Sequence, residues 1–175
     1  MKRKKLVESR AFQFQLVFPT PNRAGNAPLA EGVVTSPLLD KAMHGGNELQ
    51  VTFGGWIRGR LVLDSRQLDA LNGYLSNQGS IRIDLETAIR KYHPKLKTRL
   101  GHGRNIWKTV RVAGLLLDPY FKWDSFKNGG HPVIDTLATN NGSAFTVVLS
   151  GPWDDDHQRL CEFRYSKMVR LVMEG

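Results

Sequence analysis

Cysteine is nearly absent: Cys161 is the single thiol in 175 residues, so the chain forms no internal disulfide and offers no Cys-rich zinc site. That composition argues for a reducing compartment, the cytoplasm, over a secreted, bridge-stabilised protein. No run of about 18 apolar residues occurs, which removes a membrane-spanning helix and a membrane partner from the expectations. The basic start, Met1-Lys2-Arg3-Lys4-Lys5, lacks the apolar stretch of a signal peptide, because Leu6-Val7 runs straight into Glu8 and Arg10. P-loop, dinucleotide and serine-hydrolase motifs are missing, and so are internal repeats. No cofactor is implied.

The most informative absence is local. Between Thr87 and Leu117 there is no Asp or Glu, while eight cations stand there: Arg90, Lys91, Lys95, Lys97, Arg99, Arg104, Lys108 and Arg111. Taking those eight from the formal charge of +9 leaves only +1 for the rest of the chain. His93 and His102 lie in the same stretch, with Tyr92 and Trp107 as flat side chains able to stack on a base. Cations for phosphates and aromatics for bases are the composition of a nucleic-acid contact surface. A solvated loop is the bland alternative, but a like-charge block of this length repels itself and favours an anionic partner. In an extended Lys95-Leu96-Lys97-Thr98-Arg99-Leu100 the three cations share one side, and Gly101-His102-Gly103 allows close approach of the backbone.

Periodicity predicts the elements. Residues 11–18 alternate as a half-buried strand, ended by Pro19 and Pro21. Residues 22–46, rich in Gly, Pro, Ala and Asn, read as a long connection. Strands are expected at Leu49–Phe53 and at Trp56–Leu63, the second setting Arg58 and Arg60 in parallel about 7 Å apart, near the spacing of phosphates. A helix starts at the N-cap Asp64, runs through Leu68, Leu71 and Leu75, and stops at Gly79. Ser80–Leu85 alternates as a strand, Glu86–Tyr92 reads as a turn or two of helix, and Ile106–Leu117 reads as a strand. That last strand sets Ile106, Lys108, Val110 and Val112 on one face, with Trp107, Thr109 and Arg111 on the other. A hairpin is expected where Val133–Ala138 and Ser143–Ser150 flank Thr139-Asn140-Asn141-Gly142. The final apolar runs are Leu160–Phe163 and Met168–Met173.

These elements make an α+β, β-rich single domain over residues 11–175, with about seven or eight mostly antiparallel strands and one or two helices. Residues 1–10 form a basic N-terminal arm, either solvated or adding phosphate contacts.

Other constellations compete with the basic stretch. Asp154-Asp155-Asp156-His157 holds oxygen and imidazole ligands, though a polar turn explains the run more simply. Asp84 and Glu86 would share a strand face beside Lys91, and His131 stands near Asp135; a metal-dependent nuclease requires such groups to converge. Cys161 lies in an apolar run and reads as a buried, inert thiol.

Gly54-Gly55-Trp56-Ile57-Arg58-Gly59-Arg60-Leu61 sets glycines among arginines, with Trp56 either stacking or in the core. This strand running into a helix, after an alternating N-terminal strand, resembles the RAMP proteins over residues 11–75. The resemblance implies a ferredoxin-like fold and an RNA-binding subunit of a CRISPR effector complex. That family's second glycine-rich loop is not evident, and Gly151-Pro152-Trp153 is a poor substitute.

The reading is a non-catalytic protein that binds RNA or single-stranded DNA through phosphates, as part of a larger complex with other protein subunits. Arg90, Lys91, Lys95, Lys97, Arg99, Arg104, Lys108 and Arg111 form the contact set. Arg58 and Arg60 are a second group, and Tyr92, Trp107 and Trp56 are the stacking residues. No helix combines a cationic face with groups that read base edges, so major-groove readout is not expected. A viral or phage assembly protein and a metal-dependent nuclease are the alternatives from other classes.

Overall fold

A computed structural model describes residues 5–8, 13–17, 30–53, 56–57, 60–61, 65–92, 105–117, 122–123, 132–133, 144–153, 158–164 and 166–173. In chain order these contain β1 (Lys5–Glu8), β2 (Gln13–Val17), β3 (Ala30–Thr35), the single-turn α1 (Lys41–His44) and β4 (Glu48–Phe53). Two-residue strands β5 (Trp56–Ile57) and β6 (Arg60–Leu61) precede α2 (Ser65–Ser76) and α3 (Gln78–Tyr92). A 3₁₀ turn (Ile106–Lys108) leads into β7 (Arg111–Leu117), followed by β8 (Lys122–Trp123) and β9 (Pro132–Val133). The chain ends in β10 (Ala144–Ser150), β11 (Arg159–Arg164) and β12 (Lys167–Met173).

The fold is α+β. Eight strands in the order β1-β2-β3-β4-β7-β10-β11-β12 form one mixed sheet, with the helices beside it. Every pairing is antiparallel except β4 with β7, which run parallel with Val51 opposite Leu115. A parallel pair needs a long crossover, and α2 and α3 lie within it. Residues 5–8, inside the segment that reads as an arm, pair with β2.

The helices pack on one sheet face because their apolar residues recur at helical spacing. Ala70, Leu71, Tyr74 and Leu75 of α2, and Ile81, Leu85, Ala88 and Ile89 of α3, are buried. They meet Leu49, Val51, Val112, Leu115, Leu117, Phe145, Val147, Leu149, Cys161 and Phe163 of the strands in one core. Tyr74 sets its edge on Phe145 at 5.3 Å, and Phe145 stacks on Phe163 at 5.2 Å. Cys161 is buried there, and burial pushes its thiol up to about 12. No described helix is long and apolar enough to cross a membrane.

Several expectations are corrected. The strand at Ser80–Leu85 is the first half of α3: Ile83 is 66% exposed while Ile81, Leu85, Ala88 and Ile89 are buried, a 3.6-residue spacing that outlasts the three-residue alternation. Gly79 is the second residue of α3 and stops nothing; Asn77 alone separates the helices. The long connection holds β3 and α1. Within the strand expected at Trp56–Leu63, Trp56 stands opposite Leu61 and Ile57 opposite Arg60, so the chain reverses there; Arg58 lies outside the described residues. Val133 pairs with Lys122, and β10 has β7 and β11 on its two sides; the turn expected at Thr139-Asn140-Asn141-Gly142 and most of the strand before it lie outside the described residues. Ile106–Leu117 divides into a 3₁₀ turn and β7. A ferredoxin-like chain places two strands between its helices, and here α3 follows α2 directly.

Candidate nucleic-acid interface

The basic stretch is held at both ends by regular structure. At its start, Arg90 and Lys91 occupy the last turn of α3, where the helix dipole favours cations, and Tyr92 is exposed with the Lys91 ammonium 5.1 Å from its ring centre. At its end, Asn105 caps the 3₁₀ turn by accepting a bond from the Trp107 N–H at 3.0 Å. Lys108 in that turn and Arg111 at the start of β7 are exposed. Among the described residues none of Arg90, Lys91, Lys108 and Arg111 has an ion-pair partner. Lys95, Lys97, Arg99 and Arg104, with His93 and His102, lie outside the described residues.

Trp107 departs from its expected place. It is 4% exposed, packed in the core beside Ile106 and Val110, and its indole N–H donates to Glu86 Oε1 at 2.6 Å. The strand alternation assumed for residues 106–112 set Trp107 beside Arg111 on an open face. The 3₁₀ turn instead drives two successive side chains, Ile106 and Trp107, inward. Its ring is not available to stack on a base. Tyr92 is the exposed aromatic of the described basic stretch.

Behind this rim lies a polar network absent from the sequence reading. Arg82 donates from Nε to Glu86 Oε1 at 3.1 Å and from Nη1 to Asp40 Oδ2 at 3.0 Å. The first is an i, i+4 pair on α3; the second ties α3 to the cap of α1, where Asp40 Oδ1 accepts from the Ala42 N–H at 2.8 Å. Hydrogen bonding to Glu86 raises the Arg82 pKa above its usual value; burial opposes it, and the bond to Asp40 and the two carboxylate charges add to the rise. Asp40, Arg82, Glu86 and Trp107 thus connect α1, α3 and the 3₁₀ turn. An i, i+4 Arg–Glu spacing was the only part of this visible in sequence.

His44, at the end of α1, belongs to a second network. Gln78 is oriented by two bonds: its Oε1 accepts from the Asp40 N–H at 3.2 Å, and its Nε2 donates to the Tyr74 carbonyl at 3.0 Å. Oε1 also faces His44 Nε2 at 3.1 Å, which requires the neutral ring to carry its proton on Nε2. The Tyr74 hydroxyl is 3.1 Å from the same nitrogen. Nδ1 is then a bare acceptor, buried without a partner. Burial lowers the His44 pKa, outweighing the Gln78 bond and the charge of Asp40. Burial likewise raises that of Tyr74.

Among the described residues, the acids considered for hydrolysis, Asp84 and Glu86, do not converge. Asp84 and Glu86 sit two apart on a helix and so point to different sides. Asp84 Oδ2 accepts from the Met168 N–H at 3.2 Å on β12, beside a bulge that leaves Val169 unpaired and 55% exposed. That bond takes up a backbone donor on a strand at the sheet's edge. Glu86 is committed to Arg82 and Trp107. Among the described residues no three His, Cys, Asp or Glu side chains gather as metal ligands.

Arg58, His131, Asp135 and residues 154–157 lie outside the described residues. Trp56 and Arg60 stand in the short β5–β6 hairpin, away from the 3₁₀ turn in sequence. Gly151-Pro152-Trp153 is a packed turn: the Trp153 ring lies over Gly151, where a Cβ would stand 2.6 Å from it, and the Arg159 guanidinium is 5.4 Å from the ring centre. Set against known protein families, curated proteins and solved structures, the chain finds no match.

Proposed function

We propose that this chain binds RNA or single-stranded DNA without catalysing a reaction, through backbone phosphates, as one subunit of a larger complex. The contact set is Arg90, Lys91, Lys95, Lys97, Arg99, Arg104, Lys108 and Arg111, with Tyr92 as the stacking side chain and Arg58 and Arg60 as a second group. The observation that carries this reading is the division of labour among the charges. Asp84 and Glu86, the acids just ahead of the basic stretch, are engaged by structural donors, while four of its cations have no ion-pair partner among the described residues. Cations with no internal role cost self-repulsion unless an anion meets them, and a phosphate chain supplies regularly spaced anions.

A salt-dependent titration tests the reading. If at least six of the eight cations meet phosphates, the log–log slope of affinity against salt on a single strand is about −4 to −5. A slope near zero overturns it. Protein purified at low salt is also expected to show excess absorbance at 260 nm from co-purified nucleic acid.

A further inference from the structure

α1 is a single turn, and its end creates a contact that no sequence pattern marks. The N–H of Gly45 donates to the Lys41 carbonyl at 2.8 Å, so Gly45 stands one turn above Lys41. Gly45 has φ +75°, a left-handed value that closes the helix and suits glycine. The space a side chain would fill there is taken by Arg111. Its guanidinium carbon lies 3.1 Å from the position of a Cβ, and Nη1 lies closer still.

Arg111 therefore lies against the C-terminal end of α1, one helical turn from Lys41, and both residues are exposed. Neither has an ion-pair partner among the described residues. Asp40, the acid next to Lys41, is spent on capping Ala42 and on Arg82. Glu48, exposed at the start of β4, forms no ion pair with either cation. Two unpaired cations at the two ends of one short turn add their fields, and an anion reached by both would be favoured there. A guanidinium fork can bind two phosphate oxygens while an ammonium adds a point charge.

We propose that Lys41 and Arg111 together hold one backbone phosphate of the bound strand, which extends the interface onto α1. This rests on the nucleic-acid reading and adds to it a residue far from the basic stretch in sequence.

The test is fluorescence anisotropy with a labelled oligouridylate of about 15 nucleotides and the full chain, each point repeated at several salt concentrations. Loss of one phosphate contact lowers the slope by about 0.7, which amounts to about five-fold weaker binding near 0.1 M salt. Lys41→Ala and Arg111→Ala are each expected to approach that loss, and the double variant to lose no more than the same about 0.7. Lys167→Ala is the control: Lys167 lies at the opposite end of the sheet, where Arg164 pairs with Lys167 and Ala144, while Arg111 pairs with Ser150 at the other end. It should leave affinity and slope unchanged, and thermal unfolding of Lys41→Ala should match the wild type. Wild-type affinity and slope in Lys41→Ala overturn the proposal, and so does a double variant that loses about 1.4. A wild-type chain that does not bind the oligonucleotide overturns the nucleic-acid reading itself, a result distinct from a silent Lys41.

Discussion

α3 bears cations at two places along its length, and they do opposite things. Arg82, one turn from the start, spends its charge inside the protein on Asp40 and Glu86. Arg90 and Lys91, in the last turn, have no described carboxylate to meet. Composition treats the three alike. What separates them is whether an acid lies within reach: Arg82 has Glu86 one turn on and Asp40 brought in from α1, whereas the sequence following Glu86 is free of acids until Asp118. Internal pairing stabilises the fold modestly, and the unpaired charge is what the proposed strand would meet.

The largest expected effect falls on the residue joining these two regions. Trp107→Ala should lower unfolding free energy by about 3 to 5 kcal/mol, since it empties a core site. Trp107→Phe keeps most of the ring but removes the donor to Glu86, and should cost about 1.5 kcal/mol. Urea denaturation measures both. If Trp107→Ala unfolds like the wild type, the indole is not core and its role in stacking reopens.

Exchanging the two cation classes gives the next effect. Arg82→Ala should cost about 1 kcal/mol of stability, because its partners are partly exposed, and should leave the salt slope of oligonucleotide binding intact. Arg90→Ala combined with Lys91→Ala should do the reverse: thermal unfolding stays within a degree or two, while the slope falls by up to about 1.4. A pair of variants that behave identically would erase the distinction.

The smallest effect is a pH dependence on the α1 side. Burial depresses the folded-state pKa of His44 below the ordinary value of about 6.5, so below that pH the unfolded chain binds the proton more readily. Its contribution to stability is thus present above about pH 6.5 and is lost as pH falls through the folded-state value. Protonation would also turn the unpartnered Nδ1 into a buried donor with no acceptor. Thermal unfolding between pH 7.5 and 5.5 should show a decline that His44→Gln flattens. An unchanged decline in that variant would assign the dependence to other groups.

Much of the sheet could be read from sequence, because alternation over five to seven residues marks a half-buried strand: β4, β10, β11 and β12 lie close to their expected places. α2 was legible through Leu68, Leu71 and Leu75. Of its partner α3 the second half was legible at Glu86–Tyr92, but the first half was not, because Ile81, Ile83 and Leu85 match a strand over a span too short to separate period 2 from period 3.6. β3 lay hidden among glycines and alanines, and α1 is too short for any period to show. The cations of the basic stretch were all visible, whereas Trp107 was misplaced because one 3₁₀ turn shifts the phase of the alternation.

By itself the sequence determined the concentration of positive charge at 87–117, the apolar sets that face the core, and a thiol with no partner for a disulfide. These follow from composition and from contacts a few residues apart. The tertiary structure alone decided which charges are used internally: Asp40 meets Arg82 across 42 positions, Trp107 meets Glu86 across 21, and Arg111 comes to rest on Gly45. Ion pairing depends on distances of a few ångströms, and only chain reversal through α2, α3 and the parallel β4–β7 pairing brings such residues together.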